Sequence, residues 1–136
     1  MEKNKIILIE DDPDHADLIY EVFKEGGIED DIILISDGME AIDCFQELSI
    51  KWNGQVEHKI KLIILDLNLA KISGMDILKY IKKNSKYNKI PVIILSSSSN
   101  QKAIDETYKN GANGYFVKPA SYKEFVEKVK ILKKCY

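Results

Sequence analysis

No stretch of this chain is apolar for long enough to cross a bilayer. The polar opening Met-Glu-Lys-Asn-Lys runs straight into the strand-like Ile6 to Ile9, which leaves no room for the apolar core of a secretory signal. Both absences point to the cytoplasm. Cysteine is scarce. Cys44 lies in an apolar helical pattern and Cys135 beside the C-terminus, so neither has metal-ligand spacing and neither is expected to do more than pack. The chain has two histidines, His15 and His58, and no Ser/His/Asp set, so it is not equipped for ordinary hydrolysis; both histidines are expected to be solvated surface residues. A net charge of -2 gives no general attraction to nucleic acid or to acidic membranes. What is present, 136 residues with 45% hydrophobic and 31% charged, suits one globular domain able to bury a real core.

Strand-like and helix-like segments alternate along the chain. Lys5 to Ile9 is a β-branched strand running into Glu10, Asp11, Asp12 and Pro13; Asp12 can cap a helix whose apolar stripe is Leu18, Ile19, Val22 and Phe23 and which Gly26-Gly27 stops. Asp31 to Ile35 is a second strand. Asp37-Gly38-Met39-Glu40 has the spacing of a capping box, opening a helix with Ala41, Ile42, Phe45 and Leu48 inward. Residues 49–61 show no period and read as a long, mobile surface connection. Leu62 to Leu65 is an uninterrupted apolar run ending on Asp66, as in a strand buried on both faces. Ser73 can cap a helix that buries Ile77, Leu78 and Ile81 and ends in a polar turn at 84–89. Pro91 to Leu95 is a fourth strand leading into Ser96 to Ser99. Asn100 opens a weaker helix with Ala103, Ile104, Thr107 and Tyr108, ended by Gly111. Gly114 to Val117 is a fifth strand finishing on Lys118-Pro119. A second capping box, Ser121 to Glu124, starts a last helix with Phe125, Val126, Val129 and Leu132 inward.

Five strands separated by helices, with no hairpin signal, imply parallel pairing through right-handed crossovers. The expected fold is α/β, a doubly wound, five-stranded, three-layer sandwich. In such sheets ligands bind at the C-terminal ends of the strands. That edge gathers Glu10 and Asp11 after strand one, Asp66 after strand three, Ser96 after strand four and Lys118 after strand five. Polar residues are common at strand ends, and a lone Asp there is often only a cap or loop carboxylate. Packed acids, however, repel one another unless a cation or the lysine neutralises them. Mg2+ answers that need, since it takes few carboxylates, keeps waters and bridges to phosphoryl oxygens. An ionised Asp66 could then attack phosphorus in line to give an acyl phosphate, with Mg2+, Lys118 and the Ser96 hydroxyl on the equatorial oxygens.

Glu10-Asp11-Asp12, Asp66-Leu67-Asn68-Leu69, Ser96 and Tyr115-Phe116-Val117-Lys118-Pro119, each at its own strand end and spanning nearly the whole chain, resemble the CheY-like receiver domain of two-component response regulators. The resemblance implies a flavodoxin-like sheet of strand order 2-1-3-4-5, with residues 1–136 forming one receiver domain and no output domain after the last helix. It implies that Asp66 is the phosphoacceptor in a Mg2+-dependent phosphorelay, and that Asp11, Asp66 and the Asn68 carbonyl bind the metal, Glu10 acting through water. Ser96 and Tyr115 would be the switch pair and Lys118 the phosphoryl contact, its bond to Pro119 usually being cis. The implied partners are a histidine kinase or a phosphotransfer protein. The wording around Asp66 and strand four is similar to the stand-alone regulators of phytochrome-type kinases. Output would come from a changed face formed by 100–111, 114–117 and the last helix, where a partner or a second copy would dock; no direct contact with nucleic acid or membrane is implied.

Two departures from the family pattern stand out. Ala70 occupies a position where the family often has Pro, which leaves the loop after Asp66 less rigid. Ser96 stands where Thr is common and keeps the hydroxyl. Two rival readings fit less well. A haloacid-dehalogenase-type phosphatase needs a second Asp two residues after the nucleophile, where this chain has Asn68. An FMN carrier needs a Gly- and hydroxyl-rich phosphate loop after strand one, where this chain has three acids.

Overall fold

The computed structural model describes residues 4–27, 31–119 and 121–134, without the side chain of Leu132. Five strands, β1 (Lys5–Ile9), β2 (Asp31–Ile35), β3 (Ile60–Asp66), β4 (Val92–Ser96) and β5 (Gly114–Val117), form one parallel sheet in the order β2-β1-β3-β4-β5. Five helices alternate with them: α1 (Pro13–Glu25), α2 (Gly38–Lys51), α3 (Gly74–Lys83), α4 (Gln101–Lys109) and α5 (Tyr122–Lys134). This is the doubly wound, flavodoxin-like arrangement expected from the sequence. None of the helices is long and apolar enough to cross a membrane among the described residues.

The period of two in a strand sends alternate side chains to opposite faces of the sheet. In β1, Ile7 and Ile9 join Phe45, Ile77, Ile81 and Tyr87 on the α2 and α3 side, while Ile6 and Leu8 join Ile19, Phe23, Phe125 and Val129 on the α1 and α5 side. The sheet is therefore the middle of three layers. After β2 the chain crosses back over β1 to lay down β3, so the winding direction reverses between the C-terminal ends of β1 and β3. A crevice is expected at that reversal, because the two neighbouring connections leave on opposite faces.

The caps behave as their residue types require. Asp12 accepts the N–H groups of Asp14 and His15, Asp37 that of Glu40, Ser73 that of Asp76 and Asn100 those of Lys102 and Ala103. Glu40, read as the second half of a capping box, accepts the Ser36 hydroxyl at 2.9 Å.

Four expectations need correction. Residues 49–61 are not one long mobile connection: α2 continues to Lys51, a 3-10 turn spans Val56–His58, and β3 begins at Ile60. Val56 is fully buried and Trp52 packs on the core, so this segment is pinned by two apolar side chains that its polar composition hides. The 84–89 turn is likewise anchored by Tyr87, buried completely, with its hydroxyl donating to the Phe45 carbonyl at 2.7 Å. Burial pushes the Tyr87 phenol well above its ordinary pKa. In α4 only Thr107 is buried among the described residues, and Tyr108 lies 48% exposed rather than inward. No cis peptide bond occurs among the described residues, unlike the bond implied at Lys118-Pro119. Cys135 lies outside the described residues.

Charge is distributed unevenly across this frame. Among the described residues, 13 of 19 acids fall in residues 4–57, which carry β1, β2, α1 and α2, while 16 of 19 lysines fall in the later residues, which carry β3, β4, β5 and α3 to α5.

Tyr87 ties α2 to the α3–β4 turn, with its ring 4.9 Å from that of Phe45. Tyr87→Phe should lower the unfolding free energy by about 1 kcal/mol and Tyr87→Ala by about 3–5 kcal/mol, read by urea denaturation. Equal stability of the wild type and Tyr87→Phe would mean that the buried hydroxyl contributes nothing.

Candidate functional site

Four strand ends converge on the crevice. Asp66 closes β3 and is 3% exposed; Glu10 follows β1 and is 1% exposed. Asp11, next in the chain, is exposed. One oxygen from each of the three carboxylates lies within 4.8 Å of the others. Lys118, just past β5, reaches across the sheet edge: its Nζ donates to Asp66 Oδ2 at 3.2 Å and makes a very short contact with Glu10 Oε1. Its backbone N–H donates to the Ser96 carbonyl at 2.7 Å, which fixes the start of the lysine stem beside β4.

The loop after Asp66 folds back on itself. Asp66 Oδ1 accepts the Asn68 N–H at 2.9 Å, and the Gly74 N–H donates to the Leu67 carbonyl at 3.1 Å. A Cβ on Gly74 would meet the Asp66 carbonyl oxygen at 2.4 Å, so only glycine lets α3 begin this close to the site. Lys71, in the same loop, takes a left-handed φ of 70° and faces Asp37 at 3.5 Å.

The electrostatics follow from burial. Two buried carboxylates share one ammonium, so the enclosed groups carry an excess negative charge. Burial pushes the Glu10 carboxyl up, to about 8, and its hydrogen bond to Asp66 adds to the shift while Lys118 opposes it. Burial also pushes Asp66 up. There the hydrogen bonds from Glu10, from the Asn68 N–H and from Lys118 outweigh it and hold the carboxyl below the usual range. Asp66 is thus the ionised member and Glu10 the one that carries a proton when no cation is near. A hard divalent cation suits this oxygen-only donor set, because it would take over the charge that the Glu10 proton otherwise balances.

Ser96 is 1% exposed, and its Oγ accepts the Ser98 N–H at 3.1 Å. Tyr115, half-buried on β5, donates its hydroxyl to the Ser98 carbonyl at 2.8 Å. Its phenol is already engaged inward, where the sequence suggests an aromatic that turns in later. The Asn68 amide lies 3.4 Å from Ser97 Oγ, on the same rim.

The structure therefore brings together Glu10, Asp11, Asp66, Asn68, Ser96 and Lys118, with Tyr115 linked through Ser98. It also adds two residues that the sequence reading passed over. Ser98 joins Ser96 to Tyr115, and nothing separates it in sequence from its serine neighbours. His15, expected on the surface, is 37% exposed; its Nδ1 lies 3.2 Å from Lys118 Nζ, and its ring lies 4.9 Å from that of Phe125. The α1 cap at Asp12 is the signal that could have placed it, because His15 stands in the first turn of a helix starting at the crevice. His58 is exposed, as expected.

Comparison with known proteins gives relatives that span nearly the whole chain. Response regulator Rcp1 of Synechocystis is 32% identical over 126 residues, covering 91% of this chain and 82% of Rcp1. The Mn2+-bound form of Rcp1 aligns with a TM-score of 0.84 at 30% identity, covering 96% of this chain and 92% of that one. The phosphorylated cyanobacterial phytochrome response regulator RcpA gives a TM-score of 0.81 at 30% identity, with 97% and 92% covered. The probable methanogenesis regulatory protein FilR2 of Methanothrix harundinacea is 30% identical over 128 residues, 94% of this chain and 80% of FilR2. The response regulator receiver domain itself matches from residue 6 to residue 130, which leaves almost nothing of the chain outside it. The chain therefore belongs to the family of response regulator receiver domains, the signalling domains of two-component systems.

Proposed function

We propose that the chain works as a single receiver unit in the cytoplasm, accepting a phosphoryl group on Asp66 from a histidine kinase, of phytochrome type by its similarity to RcpA, or from a phosphotransfer protein. The observation that carries the reading is the Lys118 ammonium held between Asp66 and Glu10 at the mouth of an acid cluster. Mg2+ is the proposed cation, with Asp11, Asp66 and the Asn68 carbonyl as ligands and Glu10 acting through water. When bound, it neutralises the developing charge on the transferred group. An oxygen of Asp66 attacks phosphorus, the bond from phosphorus to the donor imidazole nitrogen breaks with its electron pair going to that nitrogen, and an acyl phosphate remains on Asp66. Lys118 supplies N–H donors to the phosphoryl oxygens that arrive beside it.

Reading the phosphate falls to Ser96, Ser98 and Tyr115. A dianion on Asp66 is a stronger acceptor than the contacts Ser96 Oγ otherwise meets, so the hydroxyl turns toward it and gives up the Ser98 N–H. The Ser98 peptide then shifts, and Tyr115, bonded to the Ser98 carbonyl, moves with it. The face built by α4, β5 and α5 changes shape, and there a partner or a second copy docks. α4 suits this role because little of it is buried.

Acetyl phosphate with Mg2+ should label wild-type protein on Asp66, while Asp66→Asn or added EDTA abolishes the label, as read by mass spectrometry. Undiminished labelling in either case sinks the assignment. Beryllofluoride with Mg2+ should alter hydrogen exchange across α4, β5 and α5 in the wild type; Ser96→Ala should mute the response, and Lys118→Ala should keep the metal yet lose it. An equal response in Ser96→Ala would remove the proposed switch.

Glu10 gives a pH test. Its carboxyl rises from 4.5 to about 8 on folding, so between those values the folded protein binds more protons than the unfolded one. The metal-free protein should therefore lose stability as pH rises through this window, by on the order of 1 kcal/mol per pH unit at the steepest. The Asp66 shift acts at lower pH, outside that window. Thermal melting in EDTA should show the decline, with Glu10→Gln flattening it and Mg2+ opposing it; the same slope in Glu10→Gln would refute the assignment.

A further inference from the structure

An ammonium group has three N–H donors and no acceptor. At Lys118 two of them meet Asp66 and Glu10, and the third faces His15 Nδ1 at 3.2 Å. Nδ1 accepts that N–H when the ring proton sits on Nε2, where Asp12 Oδ2 lies 3.6 Å away; Glu10 Oε1 lies 3.5 Å from the same Nδ1. The ring is held on both sides: Asp12 is fixed as the α1 cap, and Phe125 of α5 packs on the imidazole at 4.9 Å with 33° between the planes. An imidazole fastened between two helices thus stands beside the ammonium of a lysine whose side chain is 8% exposed.

We infer that His15 is a positioning residue for Lys118, orienting its ammonium so that the two remaining N–H groups point into the carboxylate pocket. The inference rests on the phosphoacceptor reading above and adds to it a residue outside the acid cluster. A lysine head on a four-carbon stem turns freely in water and loses part of its value as a donor in doing so. Fixing one N–H beforehand removes that loss at the moment the phosphoryl group arrives. Lys118 then needs only to exchange a carboxylate oxygen for a phosphoryl oxygen, with its contact to His15 kept.

Two variants separate positioning from packing. His15→Leu keeps an apolar side chain against Phe125 but has no acceptor, whereas His15→Gln offers an amide oxygen. In saturating Mg2+, His15→Leu should weaken beryllofluoride binding about tenfold and slow labelling by acetyl phosphate to a similar degree, and His15→Gln should recover most of both. Mn2+ affinity and the melting temperature should stay at wild-type values, since Lys118 touches the phosphoryl analogue and not the metal. Unchanged beryllofluoride binding in His15→Leu, or an equal fall in Mn2+ affinity, overturns the inference. The 15N signal of the Lys118 ammonium reads the contact without phosphate chemistry: it should be sharp in the wild type and broadened in His15→Leu. A wild type that takes neither phosphoryl group nor beryllofluoride defeats the phosphoacceptor reading. An ammonium signal indifferent to His15→Leu defeats this one, whatever the wild type does with phosphate.

Discussion

Glu10 and Asp66 are withdrawn almost wholly from water at the same sheet edge, and one ammonium answers both. Burying two such charges beside one cation is costly unless the surplus is met by a proton or a metal. Much of the surrounding architecture serves this arrangement. The parallel sheet sets β1 beside β3 so that their C-terminal ends meet, β5 carries a lysine long enough to span β4, and glycine at position 74 lets α3 close on the loop behind Asp66. The site remains responsive because its charge balance has more than one solution.

That arrangement was largely legible in the sequence. A continuous apolar run ending in Asp66, three acids after β1 and a lysine after β5 suffice to place these groups together, because parallel strands all end on one edge. Strand and helix order was equally legible, since caps such as Asp12, Asp37, Ser73 and Asn100 mark helix starts by their own chemistry. What escaped was information carried by single side chains in polar surroundings. Val56 and Tyr87 make no periodic pattern, yet each is fully buried and pins a connection that composition alone presents as loop.

Side-chain direction was the other blind spot. Tyr108 fits an inward stripe by spacing but faces water, because α4 lies over the sheet with little more than Thr107 beneath it. His15 fits an exposed position and instead turns toward Lys118. Ser98 is one of four serines in a row, and its two backbone bonds, one to Ser96 and one to Tyr115, give it a place that its residue type does not announce. Such roles depend on which way a peptide or ring points after folding, and residue type does not encode that.

The crowding of acids in the elements up to α2 and of lysines in the elements after them gives the domain a permanent dipole moment, although its net charge is only -2. A charged protein approaching by diffusion exerts a torque on such a body before the two touch, turning the α1 and α2 flank toward a basic visitor and the α4 and α5 flank toward an acidic one. β2 and β5 are the two edges of the sheet, with the acid cluster between them. Charged partners of opposite sign are thus turned differently before contact, an influence that fades once dissolved salt shortens the Debye length to about 10 Å.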